Sequence, residues 1–493
     1  MSEGETPPGW LADADRRSPW AELRVCVAGL GVSGFAAADA LLQLGADVVA
    51  VDRRDEDALG GAVQVLDTLG AEVRLGDEAA ASLPAGTQLV VTSPGWRPDA
   101  PLLLQAATDL VPVWGEVELA WRLRPVDDPA PWLVVTGTNG KTTTVRMLAA
   151  MLEADGRRAV AAGNVGTPLV QAVLGDGSGQ PYEVVAVELS SFQLHWASSP
   201  EPLAAAVLNV APDHVDWHGS VEAYAHDKGR AYEHARVACV YNVADAQTER
   251  LVRAADVHEG CRAVGFTLGV PAVGMLGVVD DLLVDRAFVA ERHDSAAELG
   301  SLSDVSPYAP HNVANALAAA ALARAYGVRP AAVRDGLRAF RPDPHRIAEV
   351  RRLDEVTYVD DSKATNPHAA AASLAAFDAV VWIAGGLAKG ATFDDLVQRA
   401  LPRLSGVVLL GRDRADIAAA LARHAPEVPV VEVASTDTGA MDEVVQAAAR
   451  LARPGDTVLL APACASMDMF TDYGARGDAF AAAVRRLGPG SGR

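Results

Sequence analysis

The chain of 493 residues has few cysteines, few aromatic residues and no excess of positive charge. Its four cysteines (Cys26, Cys239, Cys261 and Cys464) are far apart and form no CxxC pair, which is typical of buried thiols in a reducing compartment. The net charge of −22 argues against a sequence-independent nucleic-acid-binding protein, because such proteins need a cationic surface. We therefore expect no disulfide framework and no nucleic-acid partner.

Long apolar runs are also missing. The first twenty residues carry mixed charges and no apolar core, so no signal peptide is predicted. No segment approaches the roughly 18 consecutive apolar residues that a membrane span requires. The Ala-rich stretch from Val313 to Ala323 is shorter and is typical of a buried helix. These absences predict a cytoplasmic protein without membrane insertion.

What the sequence does contain is an alternation of apolar strand-like runs with helix-like segments. Half of its residues are hydrophobic, and its length predicts about 3 domains. Val-, Ile- and Leu-rich runs separated by helices predict parallel sheets covered on both faces. We predict an α/β fold with three domains in series: a flexible tail at 1–20, a Rossmann-like domain at 21–128, a P-loop ATPase-like domain with a mainly parallel sheet at 129–342, and a Rossmann-like domain at 343–493. Proline-containing linkers at 125–131 and 340–346 are the predicted hinges.

A glycine-rich turn follows the first strand-like run. Gly29, Gly31 and Gly34 open a helix, and Asp52 ends the next strand. In such a turn, backbone N–H groups approach a phosphate, and an acidic residue at the second strand accepts hydrogen bonds from ribose. The pattern indicates a pocket for a nucleotide diphosphate. From these residues alone, an NAD-dependent dehydrogenase and a tight turn without a ligand both stay open.

A second phosphate-binding pattern, GTNGKTT, begins at Gly137 between a strand and a helix. It departs from the usual GxxxxGK[ST] spacing, because Val135 stands where the first glycine is expected. The physical features remain: backbone N–H groups that cradle phosphates, Lys141 for the β and γ oxygens, and threonine hydroxyls for Mg²⁺. ATP binding is predicted. A P-loop switch or binding module that catalyses no bond formation is the alternative.

Glu188 and His214 follow two later apolar runs. Both would lie at the carboxyl edge of the central sheet, beside the phosphate loop, where phosphoryl transfer needs Mg²⁺ ligands. A histidine in that position is also compatible with a capping or core role. Together the two residues predict contact with metal or phosphate.

Seven motifs then occur in order over nearly the whole chain. They are GTNGKTT, ELSSFQL, NVAPDH, HNVAN, DPHR, DSKATN and PACASMDMF. In this set the chain resembles the Mur ligases, which join an amino acid to a UDP-linked muramoyl substrate at the expense of ATP, through an acyl phosphate. DSKATN and PACAS favour the branch that adds D-glutamate. A sibling ligase that adds another amino acid, or L-glutamate, is the alternative.

The resemblance also implies a set of site residues. The implied catalytic residues are Lys141, Glu188, His214 and Lys228, with Lys228 carbamylated on its amine. Two Mg²⁺ sites would be held by Thr142, Glu188, His214 and the carbamylated Lys228. The implied ATP-binding residues are Gly137, Thr138, Asn139, Gly140, Lys141, Thr142, Thr143, Asn312, Asn315, Arg346 and Asp361.

Two further groups concern the other substrates. The implied contacts to the UDP substrate are Gly31, Val32, Ser33, Gly34, Asp52, Arg53, Gly95, Asn164, Thr167 and Ser190. The implied contacts to D-glutamate are Lys363, Thr365, Lys389, Ser466, Met467 and Tyr473. Tyr473 stands where phenylalanine is expected, so a hydroxyl is added to the ring. We expect small-molecule substrates and a monomer.

Overall fold

The computed structural model describes residues 6–175, 180–435, 437 and 439–488. It divides the chain into two compact units. The first comprises Met1–Ser301 and Asn315–Ala339, and the second comprises Leu302–Ala314 and Phe340–Arg493. The predicted boundary at 128/129 lies inside the first unit. The division into three domains therefore stays a prediction, although three separate sheets are present.

The first sheet of unit 1 has five parallel strands in the order β3-β2-β1-β4-β5. They are β1 (Arg24–Ala28), β2 (Asp47–Asp52), β3 (Glu72–Leu75), β4 (Leu89–Thr92) and β5 (Val113–Gly115). The associated helices are α1 (Val32–Gln43), α2 (Glu56–Leu59), α3 (Ala62–Thr68), α4 (Pro101–Thr108) and α5 (Glu116–Arg122). Because β1, β2 and β4 are buried almost throughout, their uninterrupted apolar sequence matches a sheet covered on both faces.

Residues 6–20 differ from the flexible tail that was predicted. Gly9–Asp13 form a short 3₁₀ helix, and Leu11 and Trp20 are buried in the same hydrophobic core as β1. Arg122 donates from Nη1 to the carbonyl oxygens of Leu11 and Ala12. The charged residues suggested a solvated tail, but the apolar residues among them anchor the segment. The prediction was wrong for 6–20, and residues 1–5 lie outside the described part.

The second sheet of unit 1 has nine strands in the order β14-β13-β12-β11-β10-β9-β6-β8-β7. They are β6 (Trp132–Thr136), β7 (Ala159–Gly163), β8 (Val184–Glu188), β9 (Ala204–Val207), β10 (Ala238–Asn242), β11 (Arg262–Phe266), β12 (Met275–Val279), β13 (Leu282–Asp285) and β14 (Ala297–Ser301). All neighbours are parallel except β12–β13 and β13–β14. The mainly parallel sheet is confirmed. Strand β6 lies between β9 and β8, so the carboxyl ends of these three parallel strands lie side by side.

Eight helices accompany this sheet in the described residues. They are α6 (Lys141–Ala154), α7 (Leu169–Leu174), α8 (Ser191–His195), α9 (Val215–His218), α10 (Val221–Gly229), α11 (Ala246–Ala254), α12 (Pro310–Tyr326) and α13 (Pro330–Ala339). The Ala-rich stretch lies in α12, where residues 316–323 are fully buried, so the predicted buried helix is confirmed. The first residues of α12 belong to unit 2, and the remainder belongs to unit 1.

The sheet of unit 2 has six strands in the order β15-β16-β20-β17-β18-β19, parallel except for β15–β16. They are β15 (Ala348–Leu353), β16 (Val356–Asp360), β17 (Val380–Gly385), β18 (Leu404–Leu410), β19 (Val430–Glu432) and β20 (Thr457–Leu460). The helices of this unit are α14 (Pro367–Leu374), α15 (Asp394–Ala400), α16 (Arg414–His424), α17 (Ala440–Leu451) and α18 (Tyr473–Arg486). They enclose two hydrophobic clusters, and the fully buried Ala309 belongs to one of them.

Within the described ranges, no helix is both long and apolar enough to cross a membrane.

Candidate active site

A cavity of about 470 Å³ opens at the carboxyl ends of β1, β2 and β4 in unit 1. Its lining comprises Gly29, Gly31, Val32, Ser33, Asp52, Arg53, Arg54, Ser93, Pro94, Gly95, Trp96 and Arg97. Strand order reverses between β1 and β4, and such switch points are where parallel α/β sheets bind nucleotides. Gly34 lies just below the turn, where a Cβ atom would be 1.7 Å from the carbonyl oxygen of Gly29. The cavity gathers the predicted Gly31, Val32, Ser33, Asp52, Arg53 and Gly95.

Asp52 uses its carboxylate within the protein. It accepts hydrogen bonds from the Leu30 backbone N–H at 2.7 Å and from the guanidinium of Arg54 at 2.8 and 3.0 Å. Burial alone would raise the pKa of Asp52, but these hydrogen bonds outweigh it and lower the pKa below its usual value. Asp52 therefore fixes the glycine turn as a permanent anion. Arg54 was not predicted, although its neighbour Arg53 was.

Arg53 and Trp96 form a flat wall of the same cavity. The Arg53 guanidinium carbon lies 5.2 Å from the centre of the Trp96 ring, within cation–π range. Trp96 also covers Gly29, where an added Cβ would approach the indole nitrogen to 2.7 Å. Trp96 escaped the sequence analysis, although its position directly after Gly95 was a usable signal.

Four residues predicted beside the UDP substrate do not line this cavity: the buried Gly34, and Asn164, Thr167 and Ser190. Asn164 donates from its side chain to Glu188 Oε1 at 2.8 Å. Ser190 caps α8 reciprocally with Gln193, and the Thr167 carbonyl oxygen accepts from the Gly163 backbone. Their predicted contact with substrate stays a prediction.

The phosphate loop connects β6 to α6 through two glycines with positive φ, Gly137 and Gly140. Asn209, which follows β9, fixes the loop: its Oδ1 accepts from the Asn139 N–H at 2.9 Å, and its Nδ2 donates to the Asn139 carbonyl at 3.1 Å. Lys141 folds back over the loop, and its Nζ donates to the carbonyl oxygens of Gly137 and Thr138. The loop is therefore rigid and places an ammonium at its centre. Thr142 and Thr143 follow in the first turn of α6.

Lys228, on α10, reaches the same loop from the opposite side. Its side chain is 99% buried, and its Nζ donates to the Gly137 carbonyl at 2.9 Å, the oxygen that also accepts from Lys141. Burial and the nearby Lys141 charge lower the pKa of Lys228 well below its usual value, although Asp213 and Asp227 oppose this shift. The neutral amine is therefore far more accessible here than on a surface lysine.

Glu188 ends β8 beside this loop and is almost fully buried. Its Oε1 accepts from Asn164, whereas no hydrogen-bond partner for Oε2 is found in the described part of the chain. A buried carboxylate oxygen without a partner is costly unless a ligand satisfies it. Among the described residues no group of three or more His, Cys, Asp and Glu side chains gathers as a protein-only metal site. Glu188 thus fits Mg²⁺, which typically takes one or two carboxylates together with substrate phosphates and water.

His214 directly precedes α9, has a positive φ and remains partly exposed. Its Nε2 lies 3.6 Å from Asp213 Oδ2, and its ring packs on Phe192. Burial and the charges of Lys228 and Lys141 lower the pKa of His214, and Asp213 only partly opposes them. A neutral imidazole is the form that binds a metal.

A network that the sequence did not reveal supports α10. His195 Nδ1 and His218 Nδ1 each lie 2.9 Å from Asp227 Oδ2, and His218 Nε2 lies 3.0 Å from Ser191 Oγ. Asp227 directly precedes Lys228, so the network anchors the turn that carries this lysine. Its members come from three short helices, and no single motif contains them.

The two asparagines of HNVAN lie on α12 in different units. Asn315, in unit 1, lies against the phosphate loop: a Cβ on Gly140 would be 2.4 Å from Asn315 Oδ1. Asn312, in unit 2, donates from its side-chain amide to the Pro307 carbonyl at 3.0 Å. Of the two, Asn315 lies beside the phosphate loop of its own unit, and nucleotide contact by either asparagine stays a prediction.

Unit 2 brings together several residues predicted for D-glutamate. The Lys363 ammonium lies 3.8 Å from the centre of the Tyr473 ring. The loop of Lys389 pairs with the loop of Ser466 through two backbone hydrogen bonds between Leu387 and Ala465. Ser466 is buried, whereas Met467 is 60% exposed and Lys389 is exposed. Thr365 follows Lys363 in the same turn, with its N–H donating to the Lys363 carbonyl.

Asp361 and Arg346 lie near this region within unit 2. The Asp361 carboxyl is buried, accepts hydrogen bonds from Ser373 Oγ and the Ile347 N–H, and has its pKa raised to about 6 by burial. Arg346 Nε lies 3.7 Å from Asp343 Oδ2. The contact of either residue with a nucleotide stays a prediction.

The site segments match known family models. The model "Mur ligase middle domain" matches residues 135–323, and "Mur ligase, glutamate ligase domain" matches residues 345–464. The chain belongs to the Mur ligase family.

Named relatives of this Mur ligase span almost its whole length. The UDP-N-acetylmuramoylalanine–D-glutamate ligase of Streptomyces coelicolor is 66% identical over 94% of this chain and 98% of its own. Proteins of the same name from Thermobifida fusca and Mycolicibacterium smegmatis are 62% and 50% identical, and each covers 94% of this chain and 98% and 96% of its own length.

Solved structures of other Mur ligases share the fold. The UDP-N-acetylmuramate–alanine ligase of Thermotoga maritima has a TM-score of 0.56 at 19% identity, covering 94% of this chain and 99% of that one. The MurF ligase of the same organism, solved in complex with ADP, has a TM-score of 0.56 at 16% identity over 95% and 97% of the two chains. At these identities the likeness concerns the fold alone.

Proposed function

We propose that this Mur ligase adds D-glutamate to UDP-N-acetylmuramoyl-L-alanine, with hydrolysis of ATP to ADP and phosphate, in peptidoglycan precursor synthesis. The observation that carries the proposal is the 49–66% identity, over 94% or more of the chain, to relatives that bear the name of this ligase. The site geometry supports it, because two nucleotide-binding turns and a cluster around Lys363 provide places for three substrates.

The reaction class explains why two phosphate sites are needed. A carboxylate and an amine at neutral pH form a salt rather than an amide, since hydroxide is a poor leaving group. Transfer of the γ-phosphoryl group of ATP to the alanyl carboxylate gives an acyl phosphate and ADP. Attack by the D-glutamate amine forms the amide and releases phosphate, while the amine loses a proton.

The cavity beside β1 would hold the uridine diphosphate. Gly31, Val32, Ser33, Gly34 and Gly95 would surround it, with the N-terminus of α1 directed at the phosphates. Arg53 and Trp96 offer a cation and an aromatic face for a base. Asp52 would act chiefly by holding the turn. Asn164, Thr167 and Ser190 would contact parts of the UDP substrate that extend beyond this cavity.

The loop from Gly137 to Thr143 would hold the triphosphate. Lys141, now directed at two carbonyl oxygens, would turn to the terminal phosphate, and Asn315 would lie beside the nucleotide. Asn312, Arg346 and Asp361 would complete the nucleotide contacts. Thr142, Glu188, His214 and carbamylated Lys228 would hold two Mg²⁺ ions, which would neutralise the charge of the phosphates.

Carbamylation of Lys228 has a physical basis in its surroundings. The neutral amine attacks CO₂ and releases one proton, which leaves a carbamate anion. The low pKa caused by burial and by Lys141 provides that neutral amine. The product exchanges an unfavourable pair of neighbouring ammonium groups for an anion beside Lys141, and supplies oxygen ligands of the kind Mg²⁺ prefers.

The cluster in unit 2 would hold D-glutamate. Lys363 and Lys389 each offer an ammonium to a dicarboxylic substrate, and Thr365, Ser466, Met467 and Tyr473 would shape its surroundings. We also propose that the chain forms three domains, each built on one of the three sheets. We further propose that the protein is a monomer.

The decisive experiment is phosphate release with ATP, Mg²⁺ and UDP-N-acetylmuramoyl-L-alanine. D-glutamate, L-glutamate, L-lysine and diaminopimelate are offered in parallel. We expect release with D-glutamate only. Release with another amino acid would keep the ligase chemistry and contradict the assignment of Lys363, Thr365, Lys389 and Ser466. No release with any of them would contradict the proposal itself.

A further inference from the structure

Arg476, on α18, is the most deeply buried charged side chain of unit 2, with 1% of its surface exposed. Its Nη1 donates to the Cys464 carbonyl at 3.1 Å, its Nη2 to the Ser362 carbonyl at 2.9 Å, and its Nε to Ser362 Oγ at 3.0 Å. Ser362 Oγ in turn donates to the Tyr473 carbonyl at 2.7 Å. The guanidinium thus joins the segment of Ser362, 114 positions away, to those of Cys464 and Tyr473.

These segments are the ones proposed to bind D-glutamate. Ser362 precedes Lys363, Cys464 lies two residues before Ser466, and Tyr473 begins the helix that carries Arg476. Leu387 pairs with Ala465, so the loop of Lys389 is attached to the same assembly. The hydrogen bonds of this network use the carbonyls of Cys464, Ser362 and Tyr473 and the Ser362 hydroxyl. Of these three residues, only Tyr473 is a proposed substrate contact, and it would make that contact through its ring.

Burying a charged guanidinium costs free energy of desolvation, so a buried arginine calls for an explanation. Burial lowers the pKa of Arg476 to about 10, which still leaves it charged at neutral pH. Within the described residues no carboxylate lies at salt-bridge distance from it, and carbonyl and hydroxyl oxygens accept its hydrogen bonds instead. An apolar side chain of similar size would fill the same space at lower cost. The directional hydrogen bonds are what such a replacement would lack.

We propose that Arg476 is a positioning residue for D-glutamate, which fixes the loops of Lys363 and Ser466 against Tyr473 without touching the substrate itself. This inference rests on the proposed function. Because Lys363 lies over the Tyr473 ring, a shift of either loop changes where its ammonium points. A loss of positioning should therefore weaken D-glutamate binding selectively.

The test is initial-rate kinetics on the full-length enzyme, with KM measured separately for D-glutamate, ATP and the UDP substrate. For Arg476→Met, we expect the KM for D-glutamate to rise at least tenfold, while the other two KM values change less than twofold. Arg476→Lys keeps the cation and part of the hydrogen bonding, so its rise should be smaller. Arg485→Gln, an exposed change on the same helix, should leave all three values unchanged.

A second variant addresses the case in which Arg476→Met does not fold. Ser362→Ala removes the hydroxyl that links Arg476 to Tyr473 but keeps both carbonyl acceptors, and should raise the KM for D-glutamate about threefold. Unchanged KM for D-glutamate in folded variants, or an equal rise for all three substrates, would overturn the inference. Wild-type enzyme without D-glutamate-dependent release would overturn the proposed function, and the inference with it.

Discussion

Lysine is scarce in this chain. Lys and Arg together number 42, and only Lys141, Lys228, Lys363 and Lys389 are lysines. Arginine is always charged and provides the ion pairs of the surface, whereas lysine is a compact charge whose pKa responds to burial. All four lysines lie in segments proposed to bind ATP, metal or D-glutamate. Their scarcity was a usable signal in the sequence, because it distinguishes the four lysines from the far more numerous arginines.

The carbamate proposal makes Lys228 testable by substitution. For Lys228→Ala, we expect phosphate release to fall at least 100-fold, because the amine that forms the carbamate is lost. Bicarbonate should not restore activity, whereas a short carboxylic acid, able to occupy the vacated space, should restore part of it. Carbon-13 NMR with labelled bicarbonate should show a carbamate signal in the wild type and none in the variant. Activity close to that of the wild type in Lys228→Ala would contradict the assignment.

Sequence motifs predicted some residues of the candidate site and missed others. Gly31, Asp52 and the loop from Gly137 were found because their backbone geometry needs particular residues at fixed spacing. Trp96 and Asp227 were missed, since their partners are brought close only by folding. Arg476 was missed for the same reason: its three hydrogen bonds reach residues that precede it by 12 or 114 positions. Arg54 was missed although its partner, Asp52, lies only two positions away.

At the scale of elements, parallel strands explain most of what the sequence could predict. Apolar runs of Val, Leu and Ala identify β1, β6, β8 and β9, and chemistry-bearing residues follow them because the carboxyl ends of parallel strands share one edge. The antiparallel strands β13 and β14 were not foreseen, and their short, mixed sequences give little periodic signal. The packed segment 6–20 was likewise hidden by its charges.

Helix α5 carries two buried glutamates with opposite pKa shifts. Glu116 Oε1 accepts from the Val170 N–H, and burial raises the pKa of Glu116 to about 7. Glu118 accepts from the Ser198 and Ser199 N–H groups and pairs with Arg122, and these interactions outweigh burial and lower its pKa. The first carboxyl is therefore protonated in the folded state at a pH where it is ionised in the unfolded chain.

Glu116→Gln should consequently stabilise the protein at alkaline pH. Between its unfolded pKa of 4.5 and about 7, folded Glu116 binds more protons than unfolded Glu116, so wild-type stability falls as pH rises through this window. The variant lacks this loss, which is at most about 3 kcal/mol. Thermal unfolding at pH 5 and pH 8 should show the melting-temperature difference, variant minus wild type, increasing with pH. Glu118→Gln is the matched control and should be destabilising at both values; a pH-independent effect at Glu116 would contradict the assignment.

At the scale of the whole molecule, each of the two units is built from two separate segments of the chain. Residues 302–314 precede the last helices of unit 1 in sequence, yet they belong to unit 2, where Ala309 packs in the same hydrophobic cluster as Val359 and Trp382. The predicted boundary at 342/343 assumed that each domain is one continuous segment. The serines and prolines of 301–310 were a usable signal for an interruption here, but they do not indicate which unit receives the segment.

A fragment comparison tests the importance of 302–314 for unit 2. We expect a fragment of residues 340–493 to unfold at a lower temperature than the same fragment preceded by 302–314 and a flexible linker. The reason is that the shorter fragment exposes the surface that Ala309 covers. Circular dichroism during heating provides the measurement. Equal melting temperatures would show that the segment adds nothing to this core.

The same arrangement has a consequence for the order in which the protein is made. Ribosomes release residues 302–314 well before the strands that receive them, and the cluster around Ala309 is complete only once Cys464 has been synthesised. At roughly 5–20 residues per second, that interval is about 8–30 s. During this interval the upstream sheet can already form, while the buried Ala309 lacks the later residues of its cluster. Translation therefore leaves unit 2, where amino-acid binding is proposed, unfinished until Cys464 has been made.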